Sequence, residues 1–317
     1  MSKAVGGIKT WRDLKKVPRE LWVLCVACFV NRIGAMALPF LVLYLTVKLG
    51  FTAGRAATAL ALYGGVSLIA GPIGGRLADR WGARPAMQVS LAASGIALVL
   101  FPLAQSWPAA CLMTFLLAFA TEAFRPANLA IFGEFGSSEL GKLSFALMRF
   151  SNNLGFSVGP AVGGFLAQVS FPALFIVDGM TSLFAAAIAF RSASRPATTQ
   201  HEVPKSRGFL SSFRHDADLR IFLIGIIPAA AVFSQVSSSL PLFIVRNLQL
   251  SESAYGLLFT LNTIMIITLE IPLNSITAHW PHNRSMALRA FLMGAGFGSL
   301  AFARTYPHVL LTVAYGR

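Results

Sequence analysis

Charge is the scarcest property of this sequence. Asp, Glu, Lys and Arg make up 12% of its 317 residues, against roughly 25% in a soluble domain. So few charges cannot cover a water-facing surface. With 56% of the residues hydrophobic and a mean hydropathy of +0.67, the solvent of this chain is lipid. Cysteine is scarce too: three residues exclude a disulfide scaffold. Cys25 and Cys28 have C-x-x-C spacing but lie inside an apolar run, so they read as packing residues rather than a redox or metal pair. There is no His-Glu-x-x-His and no Gly-x-Ser-x-Gly, and no catalytic constellation is visible, so the chain is not expected to be an enzyme. Gly136 to Lys142 has the spacing of a phosphate-binding loop. Leu143 follows where Ser or Thr should hold magnesium, and no strand precedes it, so no nucleotide partner is expected.

Long apolar runs are what the sequence has. Nine are predicted to span, at about 20–46, 55–75, 86–104, 109–132, 144–168, 172–191, 218–245, 255–276 and 287–303, each near the ~20 residues that cross a bilayer. The basic start leads into a run long enough to span, so it does not read as a cleavable signal. Trp11 and Trp22 suit the membrane interface. The net charge of +14 raises the question of nucleic acid, and its distribution answers it. Most Lys and Arg fall in loops on the amino-terminal side; Lys48, Arg55, Arg246 and Arg304 alone fall in the opposite ones. The positive-inside rule therefore places the amino terminus and the long loop in the cytoplasm, and it accounts for the basic charge without nucleic acid. The expected organisation is a basic cytoplasmic terminus (1–19), six spans (20–191), a cytoplasmic loop (192–217) and further spans (218–317).

Between the second and third spans, Gly71 to Pro85 reads as a glycine-rich charged turn. Gly75, Leu77, Ala78, Asp79, Arg80, Gly82 and Arg84 match the pattern Gly-x-Leu-Ala-Asp-Arg-x-Gly-Arg-Arg, with Ala83 departing from it. The stretch resembles the loop between helices 2 and 3 of the major facilitator superfamily. The fifth span carries Gly155, Gly159, Pro160, Gly163 and Gly164 in the pattern Gly-x-x-x-Gly-Pro-x-x-Gly-Gly. That pattern is similar to helix 5 of the family's drug:proton antiporter branch. Read without the resemblance, it is small-residue packing around a proline bend.

An internal repeat points the same way. Leu38-Pro39-Phe40-Leu41 recurs as Leu240-Pro241-Leu242-Phe243; Thr52 corresponds to Ser251, Trp81 to Trp280 and Met87 to Met286, these three at an offset of 199. In the second copy Ala278 stands where the first has Asp79. Both copies enter the membrane in the same direction, which is a parallel repeat. The expected fold is an all-α polytopic membrane protein of two six-helix halves. The second half is read as incomplete, with a tenth apolar segment breaking off after Pro307 to Arg317, and the chain as a truncated transporter. The resemblance implies that Asp79 faces the amino end of an eleventh helix.

Charges inside spans are costly and mark cavities or partners. Glu122 and Arg125 lie three residues apart on the fourth span; Arg32 is on the first, beside Asn31, and Arg149, Asn152 and Asn153 are on the fifth. Glu122 reads either as a proton carrier governed by Arg125 or Arg32, or as half of a fixed ion pair locking spans together. Glu270 is a second proton-coupling candidate, and Asp178 reads as the holder of a local structural hydrogen bond. Gln235, Ser237 to Ser239 and Asn262 are further cavity candidates. The resemblance implies secondary transport by alternating access. The expectation is proton-coupled efflux of small, drug-like molecules across a bacterial inner membrane, with no cofactor beyond the proton gradient and only substrate and bilayer as partners. Uptake of a small hydrophilic or anionic solute, and a non-transporting remnant or assembly partner, are the alternatives.

Overall fold

The computed structural model describes residues 17–136, 139–191, 216–277 and 280–315, and among these no strand occurs. The basic terminus up to residue 16 and the loop 192–215 lie outside the described residues. The helices are α1 (Arg19–Gly34), α2 (Ala37–Leu43), α3 (Ala53–Trp81), α4 (Ala83–Leu100), α5 (Trp107–Gly133), α6 (Glu139–Val169) and α7 (Phe171–Phe190). After the loop come α8 (Ala217–Ser234), α9 (Ser239–Leu242), α10 (Glu252–Thr277), α11 (His282–Ser299) and α12 (Tyr306–Tyr315). Seven segments are long and apolar enough to cross a membrane: Arg19–Lys48, Ala53–Trp81, Ala83–Leu103, Trp107–Gly133, Phe171–Phe190, Leu219–Asn247 and Arg284–Phe302. Helices α6 and α10 have spanning length, 31 and 26 residues, but are not among the seven.

One expectation changes. The glycine-rich stretch after Gly71 is not a turn: α3 runs on to Trp81, and the reversal is confined to Gly82 at φ 90°. Ala, Leu and Arg are good helix formers and outweigh Gly74 and Gly75. Gly82 then supplies a backbone conformation that side-chain-bearing residues resist.

The repeat is written into local geometry. A π-helical turn closes the first span at Tyr44–Lys48 and recurs at Phe243–Asn247. A 3₁₀ turn at Phe101–Leu103 recurs at Leu300–Phe302. Thr52 Oγ1 accepts from Arg55 N at 3.3 Å, and Ser251 Oγ accepts from Ala254 N at 3.3 Å. Each pair is separated by 199 residues in sequence, as are the starts of α3 and α10, α4 and α11, and α5 and α12.

The chain forms two compact units. The first holds the chain up to Ala37, Thr58–Gly159 and the rest of α7 from Pro172. Its core is Leu21, Leu24, Met87, Phe124, Ile131 and Phe132 with neighbours of the same kind. Backbones approach closely where small residues meet: a Cβ on Gly74 would come 2.6 Å from Ala123 Cα, and one on Gly179 would come 2.7 Å from Gly95 O. Such contacts suit a lipid setting, where packing rather than water exclusion holds helices together. The second unit holds Leu38–Ala57, Pro160–Phe171 and the helices from α8 onward. Within it, Phe40 meets Tyr255 edge to face at 5.2 Å, and a Cβ on Gly164 would lie 2.7 Å from Glu252 O. Arg246 Nη2 donates to Thr46 O at 2.8 Å, and Gln168 Nε2 donates to Ser253 Oγ at 2.8 Å. Leu68, Ile221, Ile227 and Phe302 are exposed, as lipid-facing side chains are.

Candidate functional site

The first unit gathers polar groups from four helices around Glu122. Glu122 sits on α5 with its side chain mostly buried, 15% exposed. Its Oε1 accepts from the Tyr63 hydroxyl on α3 at 3.3 Å, and its Oε2 accepts from Arg125 Nη1 at 3.0 Å. The arginine is one turn further along α5, where i and i+3 side chains share a face, and it is 66% exposed. One carboxylate oxygen thus has a neutral, buried partner and the other a charged, exposed one.

Arg32 enters from α1. Its Nε donates to Asn152 Oδ1 on α6 at 3.3 Å, and Glu122, Arg125 and Tyr63 are near enough to interact with its charge. Helices α1 and α6 can place these side chains together because glycines face α1. A Cβ on Gly155 would lie 2.8 Å from Phe29 O, and one on Gly159 would lie 2.6 Å from Ile33 O. Pro160 and Gly164 belong to the second unit, where both face α10; Gly163 is buried on the same helix. Nearby, Cys28 Sγ donates to Asn128 Oδ1 at 3.2 Å, and Asn31 Nδ2 donates to Ser182 Oγ at 3.3 Å.

Of the predicted site residues, Glu122, Arg125 and Arg32 come together. The residues of the α3–α4 motif do not join them. Gly75 packs 3.9 Å from Pro126 Cβ if given a Cβ, while Asp79 and Arg80 are exposed at the end of α3. Arg84 is buried in the first turn of α4, 3.7 Å from Glu20 and 3.9 Å from Glu134. This cluster ties the start of α1 and the end of α5 to α4. The side chain of Glu270 lies outside the described residues. Tyr63 is the participant the residue reading missed. A phenol has no signature of its own, but the repeat marks the position: 199 residues on stands Asn262, so both copies are polar there.

The arrangement holds one acid between a phenol and two guanidinium groups, in a helical frame. That chemistry can bind and release a proton, or bind an anion.

The profile of the Major Facilitator Superfamily matches residues 24–316. The chain is 22% identical over 313 residues to the uncharacterized MFS-type transporter YqjV of Bacillus subtilis, covering 96% of this chain and 76% of the relative. It is 25% identical over 297 residues to multidrug resistance protein MdtH of Aeromonas salmonicida, covering 92% and 74%. Among solved structures, nucleoside transporter NupG superposes with a TM-score of 0.73 at 15% identity, covering 94% of this chain and 79% of that one.

Proposed function

The chain belongs to the major facilitator superfamily, whose members are membrane transporters and not enzymes, and from that premise we propose that it exports small amphipathic molecules in exchange for protons. The observation that carries the proposal is the divided carboxylate of Glu122, held on one side by Tyr63 and on the other by the exposed Arg125. A proton arriving at Glu122 cancels its charge and frees Arg125; loss of that proton restores the pair. Each state presents a different charge to a bound solute, which links proton movement to solute movement. Kinship to a multidrug resistance protein supports efflux as the direction.

In this reading the chain has nine spans and part of a tenth, with halves at 20–191 and 218–317 joined by the loop 192–217. Its amino terminus is cytoplasmic, its membrane the bacterial inner membrane, and Glu270 a second proton site. Gly75, Asp79, Arg80, Gly82 and Arg84 at the α3–α4 junction, and Gly155 to Gly164 on α6, serve the change of conformation rather than the solute.

A second reading is uptake of an anionic solute. It is favoured by Arg32 and Arg125, two cations facing one acid. Flux of ethidium and of a small organic anion in vesicles of both orientations, under an imposed proton gradient, separates the two. Ethidium leaving the cytoplasmic side against its gradient, with loss of this in Glu122→Gln, is the expected result. Unchanged efflux by Glu122→Gln overturns the role of Glu122, and anion entry alone overturns export.

A further inference from the structure

The first span is broken. Helix α1 ends at Gly34 and α2 begins at Ala37, so the first N–H groups of α2 lack partners within their own helix. In a membrane such groups must be satisfied by protein. Here partners come from α7: Asp178 Oδ2 accepts from Ala37 N at 2.8 Å and from Met36 N at 3.1 Å, the latter N–H being shared with Gly34 O. The two residues are 142 and 141 positions away in sequence, and Asp178 is buried at 5% exposure. Gly34 makes the approach possible, since a Cβ there would strike the Thr181 hydroxyl and come 3.2 Å from Asp178 Oδ1.

What surrounds this acid is neutral. From the first span it meets Gly34, Met36 and Ala37; from its own helix, Thr181, whose hydroxyl donates to the Asp178 backbone carbonyl at 2.8 Å. Asn31 and Ser182 bond to each other at 3.3 Å, and α4 approaches with Gly95 and Val99 against Gly179. No cation forms an ion pair with Asp178 among the described residues. Among the described residues its charge is met by two backbone N–H groups at a helix start.

The second copy of the repeat has a corresponding break. Between α8 and α9, Ser238 Oγ donates to Ser234 O at 3.0 Å, and the Tyr255 hydroxyl donates to Val236 O at 2.8 Å. Those groups are neutral.

We propose that Asp178 is a further proton-binding group, a clamp on the broken first span that holds the Met36 and Ala37 amides when charged and loosens them when protonated. The proton adds to one carboxyl oxygen and no bond breaks. Two charge-assisted hydrogen bonds become neutral ones, which are about half as strong. The proposal does not depend on the role of Glu122, which lies elsewhere in the same unit.

Hydrogen exchange of the Met36 and Ala37 amides in the purified full chain tests this directly, each rate divided by that of the unfolded peptide at the same pH. Protection in the native protein is expected to fall about tenfold from neutral to acidic pH. In Asp178→Asn, which keeps an acceptor oxygen but cannot titrate, protection should not vary with pH. In Asp178→Ala it should be low throughout; should that variant fail to fold, Asp178→Asn decides. Glu122→Gln should retain the acid-dependent loss. Equal pH profiles in the native chain and Asp178→Asn overturn the proposal, and so does a loss that disappears in Glu122→Gln.

Discussion

Glu122 and Arg125 make an i, i+3 pair, and such pairs on a helix surface contribute only about 0.2–0.5 kcal/mol. Arg125 is largely exposed, which suits the exchangeable hold on the acid that the proposed role requires. A fixed ion pair would be expected to bury both partners and fill their remaining bonding positions. Backbone conformation gives another test at single-residue scale. Gln249, at φ 54°, is the one non-glycine residue with positive φ among those described, and its counterpart in the first copy is Gly50 at φ 68°. The left-handed region costs a side-chain-bearing residue roughly 1 kcal/mol. Gln249→Gly is therefore expected to raise the thermal midpoint of the purified protein in detergent, by the few degrees that about 1 kcal/mol represents. The gain is tempered because the side-chain Nε2 now donates to Arg246 O at 2.6 Å. A lower midpoint would show that this bond outweighs the backbone.

At the scale of elements, α6 was legible because glycine spacing states a physical requirement. Gly155 and Gly159 lie four residues apart on one face, and α1 lies against that face at backbone distance. Gly159→Leu is expected to force α1 from α6 and abolish recovery of folded protein. Gly64→Leu, with nothing within 4 Å of the added Cβ, is expected to be neutral within about 0.5 kcal/mol. Size-exclusion profiles of the two variants check this. The α3–α4 junction was misjudged because glycine and charge signal a turn in water-soluble chains. At a membrane edge they let a helix run on past the bilayer, so Arg76, Asp79 and Arg80 are exposed helical residues. Asp178 was legible as a hydrogen-bonding acid but not its partner. The break at Met36 and Ala37 has no marker in residue type, and it lies on a distant span.

For the whole molecule, seven of the nine expected spans coincide with segments long and apolar enough to cross a membrane, since lipid demands such run lengths. The repeat followed from a few matched residues, and its match in helix starts and turns is closer than the sequence suggested. Coupling is the property that composition does not express, because it depends on whether one acid changes its charge as solute binds. The measurement that tests it most directly is proton release from the purified chain in weakly buffered detergent on addition of ethidium. Release that saturates with ethidium and is absent in Glu122→Gln is expected. Equal release from Glu122→Gln, or ethidium binding by the native chain with no release at all, would contradict it.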